Sequence, residues 1–168
     1  MSAFDDAFEA TVKLEGTTAY GITETAARAE GYTGAMSDLS MEKAKEIYQK
    51  RYWGPLRLDV IAEVSQPVAL KLFDIGVHMS IGAAAKFLQR SLNALNRQGD
   101  DYPDVAVDGA VGPKTVTGLK KFMDKRKPQG ETVILKAISS LQGARYIEIA
   151  ESREQNEAFV FDWLATRV

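Results

Sequence analysis

The sequence predicts a mainly α-helical protein, and three observations support this class. Apolar side chains recur at helical spacing through most of the chain, beginning with Phe4, Ala7 and Phe8. Residues typical of helix ends flank these segments, such as Ser40 before a helix and Gly16 after one. Alternating patterns that would indicate strands are almost absent. The chain has 168 residues, 45% hydrophobic and 26% charged, which is enough for a buried core without disulfides.

Taken in order, the segments predict about seven helices. The first covers residues 4–14 and ends before Gly16. Residues 17–23 are short, β-branched and contain glycine, so they predict an extended turn or a very short hairpin after the first helix. A short helix at residues 24–30 is compatible with the pattern. The other helices are expected at residues 41–53, 68–79, 81–96, 113–123 and 131–150 and around residues 159–164.

The composition excludes several kinds of chemistry. The chain has no cysteine, so thiol nucleophiles and zinc–thiolate sites are excluded. His78 is the only histidine, and one imidazole cannot build a multi-histidine zinc site. No glycine-rich phosphate loop occurs. The net charge of −2 gives no electrostatic reason to expect nucleic acid as a partner. An enzyme with this composition would depend on carboxylate, hydroxyl and backbone groups.

Glu15 is the candidate for that carboxylate chemistry. It is the last residue before Gly16, at the predicted C-terminal end of the first helix. The partial negative charge of a helix C-terminus disfavours a carboxylate and is expected to raise its pKa. A protonated carboxyl group can donate its proton to a leaving oxygen, as glycoside hydrolysis requires. The alternative is an exposed glutamate beside an ordinary helix end.

The order of several short motifs resembles glycoside hydrolase family 108, the N-acetylmuramidases common in phage lysis cassettes. The more specific motifs are Leu14-Glu15-Gly16, then Thr18 to Thr23, then Ile47-Tyr48 with Tyr52-Trp53. Further matching pieces are Leu72-Phe73-Asp74, Leu88-Gln89, Asp108-Gly109 with Gly112-Pro113 and Thr115, and the closing Phe159, Trp163 and Arg167-Val168. The resemblance covers nearly the whole chain.

The resemblance implies a lysozyme-like helical fold with two regions. Residues 1–96 would form the catalytic region, and residues 104–168 a helical region similar to peptidoglycan-binding domains. The polar, acidic and turn-rich residues 97–107 are the best candidate for a loop or linker. The two regions are expected to pack into one compact unit, because the final helix resembles the closing segment of the family.

The resemblance also assigns roles to residues. The family's catalytic acid matches Glu15, and lysozyme-like order suggests that Thr23 positions the attacking water. Family members carry a longer, acidic loop after the glutamate, which is missing here. The substrate cleft is therefore expected to be more open, without a second carboxylate from that loop. No metal or organic cofactor is implied.

Five further residues are candidates for the site or for its support. Aromatic rings stack on sugars, which makes Tyr20, Tyr52 and Trp53 candidate substrate contacts, although each could equally belong to the core. Asp74 lies within an apolar helix and could support the site from behind or brace a neighbouring helix. His78 lies one turn further on and could contact Asp74, or be an ordinary structural histidine.

The expected function is an endolysin that cleaves the β-1,4 bond between N-acetylmuramic acid and N-acetylglucosamine in peptidoglycan. One alternative is a lytic transglycosylase, which uses one glutamate and an internal sugar hydroxyl. Another is a wall-binding module without activity. The expected partner is the glycan strand of peptidoglycan, and the expected state is a monomer.

The start of the chain carries Asp5, Asp6 and Glu9 where a signal peptide would have basic and then apolar residues. The uncharged run at residues 75–85 is too short to cross a bilayer. We therefore expect synthesis in the host cytoplasm and action on the cell wall in the periplasm.

Overall fold

The computed structural model of the chain describes residues 2–15 and 18–168, with only the backbone given for Glu15 and Thr18. These residues contain nine α-helices and no strand, which confirms the mainly α-helical class. The helices are α1 (Ala3–Glu15), α2 (Glu24–Ala29), α3 (Met41–Tyr48), α4 (Leu58–Val64), α5 (Gln66–His78), α6 (Ile81–Ala94), α7 (Pro113–Lys125), α8 (Gly130–Ser152) and α9 (Glu157–Arg167).

The chain divides into two compact units, residues 1–81 and 82–168. The division falls at the start of α6, whereas the sequence analysis places it after that helix, between residues 96 and 104. Helix α6 belongs with the second unit because its buried residues bind the segment that follows it. For example, the Tyr102 hydroxyl donates a 2.7 Å hydrogen bond to the Leu92 carbonyl oxygen.

Helix α4 is absent from the sequence prediction. Its seven residues lie between Pro55 and Pro67, and prolines on both sides of so short a segment are typical of a loop. It starts after Arg57, whose backbone is left-handed with φ of 52°, and it ends at Ser65. The Ser65 hydroxyl in turn accepts a 3.2 Å hydrogen bond from the Val68 N–H and caps the start of α5.

The hairpin predicted after the first helix is wrong for the described residues of that segment. Residues Thr18–Gly21 form one tight helical turn, in which the Ile22 N–H donates to the Ala19 carbonyl oxygen at 3.0 Å. Ala19 and Tyr20 both have left-handed backbones, with φ of 48° and 54°. This conformation coils the chain, so it cannot extend into a strand.

An aromatic cluster forms the core of the first unit. It joins α1, α3, α5 and the turn after α3, and its rings lie 5.2–6.1 Å apart between centroids: Phe4, Phe8, Tyr48, Trp53 and Phe73. All five residues are buried. Edge-to-face contacts dominate the cluster, which is a favoured geometry for aromatic pairs. The cluster holds α1 firmly against α5.

A wide π-helical turn at Gln49–Trp53 shapes this core. The Gly54 N–H donates to the Gln49 carbonyl oxygen at 2.8 Å, across five residues instead of four. In a regular α-helix, side chains five residues apart point about 140° away from each other. The wider turn reduces this angle, so Tyr48 and Trp53 both reach Phe73, at 5.9 and 5.6 Å.

The N-terminus of α1 is fixed by a capping box and an ion pair. The Ser2 hydroxyl accepts a hydrogen bond from the Asp5 N–H at 3.1 Å, and the Ser2 N–H donates to the Asp5 carboxylate at 3.2 Å. The same carboxylate binds the Lys45 ammonium of α3 at 2.6 Å. The bonds from Lys45 and Ser2 lower the pKa of Asp5 from 3.8 to about 2.

This ion pair predicts a specific loss of stability in acid. The pKa of Asp5 is lower in the folded chain than in the unfolded chain. The contribution of this ion pair to the free energy of unfolding is therefore present above pH 3.8 and is lost as the pH falls towards about 2. The melting temperature of the protein should therefore exceed that of Asp5→Asn at neutral pH, and the difference should shrink through this range. Combining Asp5→Asn with Lys45→Met should give a smaller change than the two single variants sum to; an additive result would contradict the pairing.

The second unit is built from α6 to α9. Helix α7 packs on α8, and α8 packs on α9. The buried apolar residues include Leu88, Leu92, Leu119, Phe122, Ile134, Ile138 and Tyr146. The ring of Trp163 in α9 lies 5.3 Å from that of Tyr146 in α8, which anchors the last helix to the long one. The second unit thus has a hydrophobic core of its own.

Candidate functional site

The candidate acid is placed at the end of a well-anchored helix. Glu15 is the last residue of α1, and its side chain lies outside the part that the structure describes. Upstream, Phe4, Ala7, Phe8 and Thr11 form the buried face of the helix. Towards its end the helix emerges from the core, and Leu14 is 42% exposed. The backbone of Glu15 therefore continues a helix whose direction is fixed by packing.

The turn that follows is tied to the same core. The Tyr48 hydroxyl donates a 2.9 Å hydrogen bond to the Tyr20 carbonyl oxygen. The half-buried ring of Tyr20 lies 6.5 Å from that of Phe8. These two contacts fix the turn against α1 and α3. Tyr48, a buried residue of the aromatic cluster, thus also positions a segment of the candidate site.

Thr23 lies directly after this turn and is exposed. Its hydroxyl oxygen accepts a 3.1 Å hydrogen bond from the Ala26 N–H and caps α2. A capping hydroxyl still has its own hydrogen to donate and a second lone pair. The cap therefore holds the hydroxyl in one place and leaves it able to bind a water.

The two aromatic residues at the end of α3 differ in exposure. Tyr52 is half-buried, with its ring 5.5 Å from Tyr48 and 6.5 Å from Phe73. Trp53 is only 1% exposed, and its indole N–H donates a 2.6 Å hydrogen bond to Asp59. The structure therefore places Trp53 in the core, with neither face open to a sugar, because the π-helical turn rotates it inwards.

Asp74 and His78 lie on α5, next to the aromatic cluster. Both are half-buried, while Phe73 is fully buried. They are one helical turn apart, as the sequence predicts. Asp74 thus lies on the helix that packs against α1.

The described residues contain no group of three or more His, Cys, Asp or Glu side chains that could hold a metal ion. In the same part of the chain, no helix combines the length and the apolar character needed to span a bilayer.

The second unit carries a turn organised by one buried side chain, Gln89 of α6. Its amide nitrogen lies 2.9 Å from the Asp108 carboxylate, 2.9 Å from the Ala110 carbonyl oxygen and 3.2 Å from the Thr115 hydroxyl. Its amide oxygen accepts a 3.1 Å hydrogen bond from the Gly109 N–H. Gly109 has φ of 79°, which glycine adopts without steric cost. The hydrogen bonds of Gln89 therefore explain why the sequence combines this residue with the Asp108-Gly109 and Thr115 motif.

Asp108 closes the same turn from the other side. Its carboxylate accepts a 2.9 Å hydrogen bond from the Ala110 N–H. This bond, with that from Gln89, lowers the pKa of Asp108. The carboxylate is thus ionised and engaged in shaping the turn, and the motif is structural. The sequence shows the motif but not its partner, because the two are about twenty residues apart.

Replacing Gln89 with leucine should lower the free energy of unfolding by about 1–3 kcal/mol, since buried polar groups of the turn lose their partner. Leucine fills a similar volume, so the loss would come from hydrogen bonding rather than from a cavity. Denaturant unfolding measures it. Gln129→Leu, the same change at an exposed position, is the control. Equal stabilities of the two variants would contradict the role given to Gln89.

A further contact that sequence analysis misses joins α2 to the π-helical turn. The Glu30 carboxylate, largely buried, binds the Lys50 ammonium at 2.8 Å and the Arg51 guanidinium at 3.3 Å. These cations hold the pKa of Glu30 below its ordinary value, Lys50 having the larger effect. No local pattern links residues so far apart in sequence. These two ion pairs fix α2, and with it the position of Thr23, which caps that helix.

Comparison with protein families gives two matches that follow the structural division. Residues 14–80 match the family described as Glycosyl hydrolase 108, and residues 83–168 match the one described as Predicted Peptidoglycan domain. The first match includes Glu15, Thr23 and Asp74, and the second includes Gln89 and its turn. The gap between the matches falls where the two compact units divide. The search of curated proteins gave no match.

Proposed function

Because the chain belongs to the peptidoglycan domain family over residues 83–168 and matches glycosyl hydrolase 108 over residues 14–80, we propose that it is an N-acetylmuramidase. The two matches support a peptidoglycan hydrolase of the glycoside hydrolase class. The finer proposal is that it cleaves the β-1,4 bond between N-acetylmuramic acid and N-acetylglucosamine. The observation that carries it is the position of Glu15, the last residue of α1, inside the matched region.

In the proposed reaction, Glu15 protonates the glycosidic oxygen as the bond to the anomeric carbon breaks. Water adds to that carbon and releases one proton to solvent, from which Glu15 is reprotonated, so each product ends in a hydroxyl group. Thr23 positions this water. Two observations support that role: the hydroxyl is exposed, and the cap on α2 fixes it in space. A positioned water lowers the entropic cost of the attack.

Tyr20 and Tyr52 are the proposed sugar contacts. Both rings are half-buried, so each has part of its surface available for stacking while the core holds the rest. Trp53 supports them from inside the aromatic cluster rather than by contact with substrate. Asp74 is proposed as a supporting residue, because α5 carries the packing of α1.

We also propose that the protein is a monomeric endolysin that acts on the bacterial wall during phage lysis. A hydrolase joined to a peptidoglycan domain is suited to this task, because the second unit would keep the first near its substrate. Expression inside bacteria tests it: lysis should require an added membrane-permeabilising agent. Lysis without such an agent would contradict synthesis in a compartment separated from the wall.

Mass spectrometry of digested peptidoglycan tests the reaction itself. Purified sacculi treated with the protein should release fragments with reducing N-acetylmuramic acid ends, which borohydride converts to alcohols. Fragments with 1,6-anhydro ends would instead identify a lytic transglycosylase. Sacculi that bind the protein but release nothing would identify a binding module. Heat-denatured protein is the control for spontaneous release.

A further inference from the structure

A groove lies on the second unit, between residues 102–105 and α7. Its volume is about 340 Å³, within the size range of small-ligand sites. Its floor is apolar and includes Val105 and Pro113. Gly118 of α7 lies in the floor beside Val105, where an added Cβ atom would make an ordinary van der Waals contact at 3.5 Å. The groove is therefore formed between two segments of the second unit and has an apolar floor.

Charged groups of both signs surround this floor. Lys114 and Lys121, two turns apart on one face of α7, line the groove and are exposed. Neither has an ion pair with a residue that the structure describes. On the opposite side, the Asp104 carboxylate accepts a 2.6 Å hydrogen bond from the Asn96 amide, which fixes its orientation. The groove therefore offers two cations and one oriented anion around an apolar surface.

The groove provides no open aromatic face. The one aromatic ring that lines it, that of Tyr102, is 3% exposed. The Tyr102 hydroxyl donates a 2.7 Å hydrogen bond to the Leu92 carbonyl oxygen. Sugar recognition commonly depends on stacking against an exposed ring, and an uncharged glycan gains nothing from two ammonium groups. The chemistry of the groove therefore disfavours the glycan strand as its ligand.

We propose that this groove binds the peptide stem of peptidoglycan, an inference that rests on the proposed function of the protein. A stem carries carboxylates, small apolar side chains and, where it contains a diamino acid, a free ammonium group. Lys114 and Lys121 pair with its carboxylates, Asp104 binds its ammonium group, and the floor takes its methyl groups. The second unit would thus recognise the peptide while the first acts on the glycan.

Binding of a synthetic stem tetrapeptide to the full chain tests the proposal. The peptide contains alanine, isoglutamate, diaminopimelate and alanine, and calorimetry measures its Kd. The double variant Lys114→Gln/Lys121→Gln should bind about 2- to 30-fold more weakly, the loss expected from two exposed ion pairs. The matched control is Lys120→Gln/Lys125→Gln, which removes the same charge from α7 outside the groove. It should bind as the wild type does.

The outcomes separate this proposal from the proposed hydrolysis, because the tetrapeptide contains no glycosidic bond. No binding of the tetrapeptide, equal weakening in both double variants, or displacement of the tetrapeptide by the peptide-free disaccharide would each overturn the groove assignment. Hydrolysis of sacculi would still stand in these cases. Conversely, tetrapeptide binding by a protein that leaves sacculi intact would support the groove and overturn the proposed reaction.

Discussion

Replacing Glu15 with glutamine should lower the rate of peptidoglycan hydrolysis about 10²- to 10⁴-fold, to near background in a turbidity assay of purified sacculi. Glutamine keeps the size and hydrogen-bonding capacity of the side chain but has no acidic proton to donate to the leaving oxygen. The fold should be unaffected. A carboxylate at a helix C-terminus is unfavourable by about 0.3–1 kcal/mol, so the neutral variant should melt at the same temperature or slightly higher.

The matched control for this variant is Glu9→Gln. Glu9 lies on the same helix and is exposed, so the chemical change is identical but away from the candidate site. It should retain the activity of the wild type. Activity in Glu15→Gln at an unchanged melting temperature would remove Glu15 from the mechanism, and with it the assignment of the catalytic acid.

The largest expected effect on stability is that of Trp53→Ala. Truncating a fully buried tryptophan should lower the free energy of unfolding by about 3–5 kcal/mol. The ring packs 5.4 Å from Phe4 and 5.6 Å from Phe73, and its N–H group is a partner of Asp59. The variant therefore leaves a cavity and removes the hydrogen bond to Asp59. Denaturant unfolding measures the loss.

Two further variants separate the loss of buried packing from misfolding and from the loss of an aromatic ring alone. Trp53→Phe keeps most of the packing and should fold even where the alanine variant does not, with a smaller loss. Phe161→Ala removes an aromatic ring that is 79% exposed and should change stability by no more than about 0.5 kcal/mol. A stable Trp53→Ala variant that binds glycan more weakly would mean that the ring contacts substrate, as the sequence alone suggests.

Local signals account for most of the fold that the sequence predicts. Ser40 precedes α3 and its hydroxyl accepts a 3.1 Å hydrogen bond from the Lys43 N–H, as its position indicates. Pro113 opens α7. A backbone N–H at the first position of a helix has no helical acceptor, so proline, which lacks this N–H, loses no hydrogen bond there. These boundaries are set by residues within a few positions of each other. For this reason they can be recognised without knowledge of the tertiary structure.

The features that sequence analysis misses depend on distant contacts. The π-helical turn at Gln49–Trp53 has no distinct residue pattern, and it exists where Trp53 can pack on Phe73. The inward rotation of Trp53 could therefore not be read from helical spacing. The turn at Thr18–Gly21 is likewise held by Tyr48, which is far away in sequence. Propensity favours an extended segment there, and tertiary contacts override it.

The candidate site likewise contains residues whose position the sequence predicts and residues whose position it does not. The position of Glu15 at the end of α1 follows from a helix and a glycine, so it is predictable. The aromatic candidates are not, because helical spacing cannot distinguish a half-buried Tyr52 from a buried Trp53. In the second unit, the spacing of Lys114 and Lys121 places them on one face of α7. That face becomes the wall of a groove only when residues 102–105 fold back beside it.

The left-handed pair Ala19 and Tyr20 has a consequence for the response to heat. Each such residue costs about 1–2 kcal/mol relative to a relaxed backbone, and here contacts from Phe8 and Tyr48 offset that cost. Warming releases locally costly segments before the cooperative core unfolds. Inactivation should thus begin at temperatures where circular dichroism still reports intact helices. We therefore expect the release of this four-residue turn, and not the melting of the helices, to set the upper working temperature of the protein.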